Sequence, residues 1–179
     1  IAEFLDGLED LDAELRRELD AIVTPCSVRA GDSTNVVPET AAIGGTFRCF
    51  QREAIAPITE RIRGLFERVR FGRSLAGEVE CDCRYELPVV NTACGVSRMK
   101  EVVDRVVGVD FWAAASRTRG MEDFAFYLDA VGEGALCWLG MGEDSPPLHS
   151  PRFDFNDEAL RNGILLFCGL ALTGGKIGS

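Results

Sequence analysis

Apolar positions change period several times along the chain, and each change marks an element. Phe4, Leu5, Leu8, Leu11, Leu15 and Leu19 recur at the spacing of one helical face, so a helix opens the chain. Ile22, Thr24, Cys26 and Val28 then alternate with Val23, Pro25, Ser27 and Arg29, the period of a strand. Pro25 lacks a ladder donor, which places that strand at a sheet edge. A polar connection follows, and Ile43, Gly45, Phe47 and Cys49 alternate with Gly44, Thr46 and Arg48 as a second strand. Ile55, Ile58, Ile62, Leu65, Phe66 and Val69 form another helical stripe, with Pro57 tolerated in the first turn. Val79, Cys81, Cys83 and Tyr85 alternate with Glu80, Asp82, Arg84 and Glu86, predicting a third strand with one apolar and one charged face.

The order helix, strand, strand, helix, strand is a split βαβ, or ferredoxin-like, layout lacking its first strand. In that layout the absent strand lies mid-sheet, so the pattern predicts backbone groups without ladder partners. Residues 1–91 form this expected α+β domain, and residues 92–95 read as a linker. Val96, Met99, Val102, Val103 and Val106 predict a helix. The run 109–115 has no alternation and reads as a buried strand, as does 136–139. Gly120-Met121-Glu122-Asp123 opens a short helix carrying Phe124, Phe126, Tyr127 and Leu128. Asp157 can cap a helix through Leu160, Ile164, Leu165, Phe167 and Leu170 that is apolar nearly all round. Two strands cannot bury such a helix. Residues 92–179 therefore read as the C-terminal part of an α/β domain, and 173–179 as a frayed tail.

Charge narrows the partners. Asp and Glu number 29 against 19 Lys and Arg, a net charge of −10. This balance argues against nucleic acid or an anionic membrane surface as partner. No apolar run reaches transmembrane length. No signal peptide is visible, and Ile1 falls inside a helical pattern, as if the natural start lay upstream. The seven cysteines are odd in number and include no Cys-x-x-Cys pair. Most lie in apolar runs, where a thiol packs as a small hydrophobe, so a reducing cytoplasm is the simplest setting. Cys81 and Cys83, at the spacing of one strand face, read as packed thiols.

The candidate chemistry is sparse. The one histidine, His149, sits in Pro146-Pro147-Leu148-His149-Ser150-Pro151, a turn stiffened by its prolines. An imidazole there can be a metal ligand, a proton shuttle or a solvated side chain. Asn35 on the turn and Arg48 on the returning strand offer an amide and a guanidinium fork suited to a carboxylate, although spacing alone favours an ordinary arginine on a sheet face. Glu122-Asp123 can be paired acid/base carboxylates, but charge at a helix N-terminus is the simpler account. Gly140-Met141-Gly142 lacks the third glycine and lysine of a phosphate loop, and no nucleophile elbow or triad is present.

Five segments in order carry a resemblance. They are Asn35-Val36-Val37-Pro38, Gly45-Thr46-Phe47-Arg48, Tyr85-Glu86-Leu87-Pro88-Val89-Val90-Asn91, Gly120-Met121-Glu122-Asp123-Phe124 and Leu148-His149-Ser150-Pro151-Arg152-Phe153-Asp154-Phe155. Together they resemble the C-terminal half of the metal-dependent amidohydrolases that include hippurate hydrolases, N-acyl-amino-acid amidohydrolases and plant auxin-conjugate hydrolases, within the wider aminoacylase and carboxypeptidase family. The resemblance implies an α/β catalytic domain holding two divalent ions (zinc, manganese or cobalt) and an inserted ferredoxin-like lid that forms a homodimer. It implies that His149 is the last metal ligand. It also implies that Arg48 and Asn35 hold the substrate carboxylate and assist at the scissile carbonyl, and that the backbone of Gly120 helps seat the substrate. Glu122 and Asp123 match a recurring pair with a structural role or a role holding a ligand in place.

The resemblance also implies that the remaining ligands, the general base and a lid histidine belong to segments N-terminal to this chain. The expected function is thus part of an enzyme hydrolysing N-acyl amino acids or similar conjugates, inactive by itself. The alternative is a non-catalytic dimerisation or ligand-binding module.

Overall fold

The computed structural model describes residues 1–83, 87–113 and 115–173. It divides into two compact units. The first comprises Ile1–Val89 with Thr118–Ala125, and the second Val90–Arg117 with Phe126–Ser179.

In the first unit, helix α1 (Ala2–Leu19) buries Leu8, Leu11 and Leu15, the stripe legible in the sequence. The helix stops at Asp20, whose left-handed φ of 48° lets its N–H return to the Leu15 carbonyl. Asp12 accepts from the Val23 N–H at 2.8 Å and so ties the helix to the following strand. Strands β1 (Ile22–Ala30) and β2 (Ala41–Arg48) form an antiparallel hairpin running from Ile22↔Arg48 to Ala30↔Ala41. The register slips between Pro25 and Ser27, a bulge beside the residue that cannot donate. Helix α2 (Ile55–Arg73) contributes Ile58 and Leu65, and these join Leu15, Ala21, Val23 and Cys49 in one core. Only the root of the hairpin enters this core, because β1 is exposed from Thr24 onward.

The predicted third strand is absent over its described residues: 79–83 join no ladder, while Arg84, Tyr85 and Glu86 lie outside the described residues. Alternation supplies a strand's two faces but not its neighbour, and among the described residues the sheet contains β1 and β2 alone.

One side chain closes this unit. Arg119 reaches the Asp20 carboxylate at 2.5 Å and the Asp20 carbonyl at 3.3 Å, and its guanidinium lies 4.9 Å from the centre of the Phe50 ring. Met121 pairs with Pro88 and packs on the core. With the pair partly exposed, Arg119→Ala is expected to cost about 1 kcal/mol. Chemical denaturation should register this as a lower midpoint with an unchanged slope.

In the second unit, helix α3 (Ala93–Val106) packs on helix α5 (Asp157–Thr173) through Val102, Val103 and Leu166. The expected linker 92–95 is instead the start of α3. Thr92 is its N-cap, accepting from the Gly95 N–H at 3.1 Å. The expected strand at 109–115 is a 3-10 turn over Val109–Phe111 without ladder bonds, and Ala114 lies outside the described residues. The expected strand at 136–139 is absent too. The Asn91 carboxamide takes both Leu136 backbone groups at 2.8 Å, filling the place of a neighbouring strand. Both misreadings share a cause, since a short apolar run without alternation does not distinguish strand from coil. Helix α4 (Phe124–Val131) carries the expected Phe124, Phe126, Tyr127 and Leu128, but it starts after Gly120–Asp123, because Met121 is held in a bridge to Pro88.

The cap of α5 is Asn156, not Asp157. The Asn156 Oδ1 accepts from the Glu158 N–H at 3.1 Å, and Asp157 is already helical. Leu160, Ile164, Phe167 and Leu172 of α5 are exposed, so the all-round apolar character has a real uncovered side. The helix includes Thr173, and the rest of the expected tail, 174–179, lies outside the described residues.

Candidate functional site

Arg48 closes the hairpin at its rooted end, paired with Ile22, half-buried and next to the core residue Cys49. Phe50, two positions on, carries the Arg119 guanidinium on its ring. Gly120 follows Arg119 directly, so the stack draws its segment to the chain beside Arg48. Gly120 is exposed, and the next residues fix its backbone: Met121 bridges Pro88, and the Glu122 N–H donates to the Leu87 carbonyl at 3.2 Å. Glu122 and Asp123 are exposed just before α4, and the Glu122 carbonyl accepts from Ala125 at 3.1 Å.

Asn35 stands elsewhere. It is exposed in the connection beyond Ala30↔Ala41 and accepts from Ser33 Oγ at 2.6 Å. The paired length from Ala41 to Arg48 spans roughly 24 Å at the rise of an antiparallel strand. Asn35 and Arg48 therefore occupy opposite ends of one ribbon, although the sequence places them on neighbouring motifs.

His149 belongs to the second unit. It is exposed and holds φ at 69°, a conformation costly for a residue with a Cβ. The turn is maintained by the Ser150 N–H donating to the Pro147 carbonyl at 3.0 Å and by Phe153 donating to Ser150 at 2.9 Å.

An exposed imidazole is suitable as one corner of a metal site. Among the described residues, however, no group of three or more His, Cys, Asp or Glu gathers to complete one. Four of the seven cysteines are poorly suited to fill the gap. Burial raises the thiol pKa values of Cys49, Cys83 and Cys137, and the Glu133 carboxylate beside Cys94 raises that thiol as well. Such thiols stay protonated near neutrality and make poor nucleophiles or ligands. Among the described residues, no helix is long and apolar enough to cross a membrane.

The comparison with known proteins gives this arrangement its context. Residues 2–173 match the profile of peptidase family M20/M25/M40. The chain belongs to this family. It is 29% identical over 157 residues to IAA-amino acid hydrolase ILR1-like 4 of Arabidopsis thaliana, covering 84% of this chain and 36% of that protein. It is 34% identical over 145 residues to N-acetyldiaminopimelate deacetylase of Enterococcus faecalis, covering 80% and 37%. A putative glutamate–cysteine ligase 2-3 of Rhodococcus jostii matches at 33% over 168 residues, but the matched part is only 20% of that protein. Among solved structures, the Bacillus subtilis YXEP protein, a dinuclear metal binding peptidase from the M20 family, superposes with a TM-score of 0.73. It shares 28% identity, with 95% of this chain and 45% of that one covered. The M20 chain thus spans less than half the length of these relatives.

Three residues that hold the candidate segments in place have roles that no apolar pattern announces. Arg119 binds through a partner 99 positions away, which no local pattern reveals. Asn91 mimics a strand with its side chain. Asn156 was within reach, because Asn directly before a helix that starts with Asp is a standard capping signal.

Proposed function

We propose that this chain is the substrate-anchoring part of an amidohydrolase acting on N-acyl amino acids or similar small conjugates. In this reading 1–91 is a ferredoxin-like lid and 92–179 the C-terminal segment of the catalytic domain. The observation that carries the proposal is the placement of Arg48 and Gly120 at one end of the first unit, joined by the Arg119–Phe50 stack. A planar guanidinium grips a substrate carboxylate through two parallel hydrogen bonds, and Gly120, next in the chain to the stacked Arg119, leaves room for the acyl chain to approach backbone. The names of the relatives support this substrate class.

Asn35 cannot meet the ligand that Arg48 of the same ribbon holds. A second copy supplies it, which makes the enzyme a homodimer through the lid. His149 provides one imidazole toward a pair of divalent ions, such as zinc, manganese or cobalt. The other ligands and the general base come from the length of the relatives that this chain does not span. Glu122 and Asp123 support the turn before α4 and do no acid/base chemistry.

The expected result with the purified 179-residue chain, zinc, manganese or cobalt, and an N-acetyl amino acid is no turnover. A chain extended by the missing ligands should hydrolyse the same substrate. Metal-dependent turnover by the short chain overturns the proposal, as does an inactive extended chain that binds its metals.

A further inference from the structure

The segment between Met141 and α5 carries His149, and its internal hydrogen bonds are short-range: Ser145 donates to the Gly142 carbonyl, Ser150 to the Pro147 carbonyl, Phe153 to the Ser150 carbonyl and Arg152 to Ser150 Oγ. These shape single turns without fixing where the segment as a whole stands. One side chain joins its two ends. Asn156 donates from Nδ2 to the Met141 carbonyl at 3.0 Å, across 15 positions. Its Oδ1 accepts from the Glu158 N–H at 3.1 Å, and its own carbonyl accepts from Ala159 at 2.9 Å. A single carboxamide therefore fastens the entry of the His149 segment to the first turn of α5.

The neighbouring backbone fits this role. Gly142 follows Met141 with φ at 96°, turning the chain immediately after the fastened carbonyl. Upstream, Thr92 and Asn91 hold Gly134 and Leu136, so the chain reaches Met141 already anchored. Pro146, Pro147 and Pro151 limit the freedom in between. His149 nevertheless keeps a φ of 69°, which a histidine retains only when its surroundings impose it.

We propose that Asn156 is a positioning residue for His149, closing the loop so that the imidazole is presented in one orientation before any ligand arrives. This rests on the reading of His149 as the functional imidazole. Capping alone needs only the Oδ1 acceptor, which Asp or Ser also provides. Closing the loop needs the Nδ2 donor, which neither provides.

The two roles separate in Asn156→Asp and Asn156→Ser. Because the chain has one histidine, selective labelling yields a single histidine backbone signal in the NMR spectrum of the 179-residue protein. In both variants the His149 Cα and Cβ shifts should move toward unstructured values. Amide exchange at Ser150 and Phe153 should quicken about fivefold, the ratio expected for one exposed hydrogen bond, with exchange along α5 unchanged. Unchanged His149 shifts with α5 intact overturn the proposal. Loss of protection along α5 in both variants assigns Asn156 to the helix alone and overturns it too. The underlying reading fails separately, if an extended enzyme keeps its full metal content after His149→Gln, a result on which Asn156 has no bearing.

Discussion

Gly95→Val is expected to unfold the second unit and leave the first folded. Gly95 is buried in the first turn of α3, and a Cβ there would meet the carbonyl carbon and oxygen of Gly134 at 2.5 Å. These are backbone atoms and cannot swing aside. They are also held in place, since Gly134 accepts from the Thr92 N–H at 3.0 Å and donates to Thr92 Oγ1 at 3.1 Å. A valine must separate the two segments, lose the Thr92 bonds and strip the cap from α3. Overpacking and the lost hydrogen bonds together cost about 2–4 kcal/mol, a large share of a small unit's stability. Hydrogen exchange resolved by residue should lose protection across α3 and α5 while α1 and β1 keep theirs. Equal loss in both units would mean that the two fold as one.

In an enzyme assembled as proposed, Arg48→Ala should raise KM for an N-acyl amino acid about 100-fold, or about 2.7 kcal/mol. That lies within the range for truncating one member of a desolvated charge pair. The same substrate with its carboxylate converted to an amide should be processed equally by both proteins. Arg48→Lys should recover part of the loss, because it restores the charge but not the fork. If acid and amide substrates suffer alike, Arg48 serves the hairpin root and not the substrate.

Much of the fold was legible because its helices are amphipathic. Leu8, Leu11 and Leu15 announced α1 and do form its buried face. Ile22 to Val28 alternate and do pair with β2. Legibility failed where a partner decides the outcome. Residues 79–83 alternate as clearly as β1 yet lack a ladder, since alternation describes one strand and pairing requires two. Leu136 found its partner in an asparagine side chain, which hydropathy does not encode.

The site divides along the same line. His149, Arg48 and Gly120 stood out through motifs, and motifs preserve order along the chain. The opposed positions of Asn35 and Arg48 follow from the hairpin register, so nearness in sequence was a poor guide to reach. Arg119 lay outside every pattern because its value comes from Asp20 and Phe50.

The uncovered side of α5 has a colloidal consequence. Leu160, Ile164, Phe167 and Leu172 present oil to water, while a net charge of −10 makes copies of the chain repel one another. That repulsion reaches about 30 Å in 0.01 M salt but only about 3 Å in 1 M salt, whereas the attraction between apolar stripes does not fade with added salt. Raising the ionic strength therefore removes the repulsion and leaves the apolar side of α5 free to draw copies together.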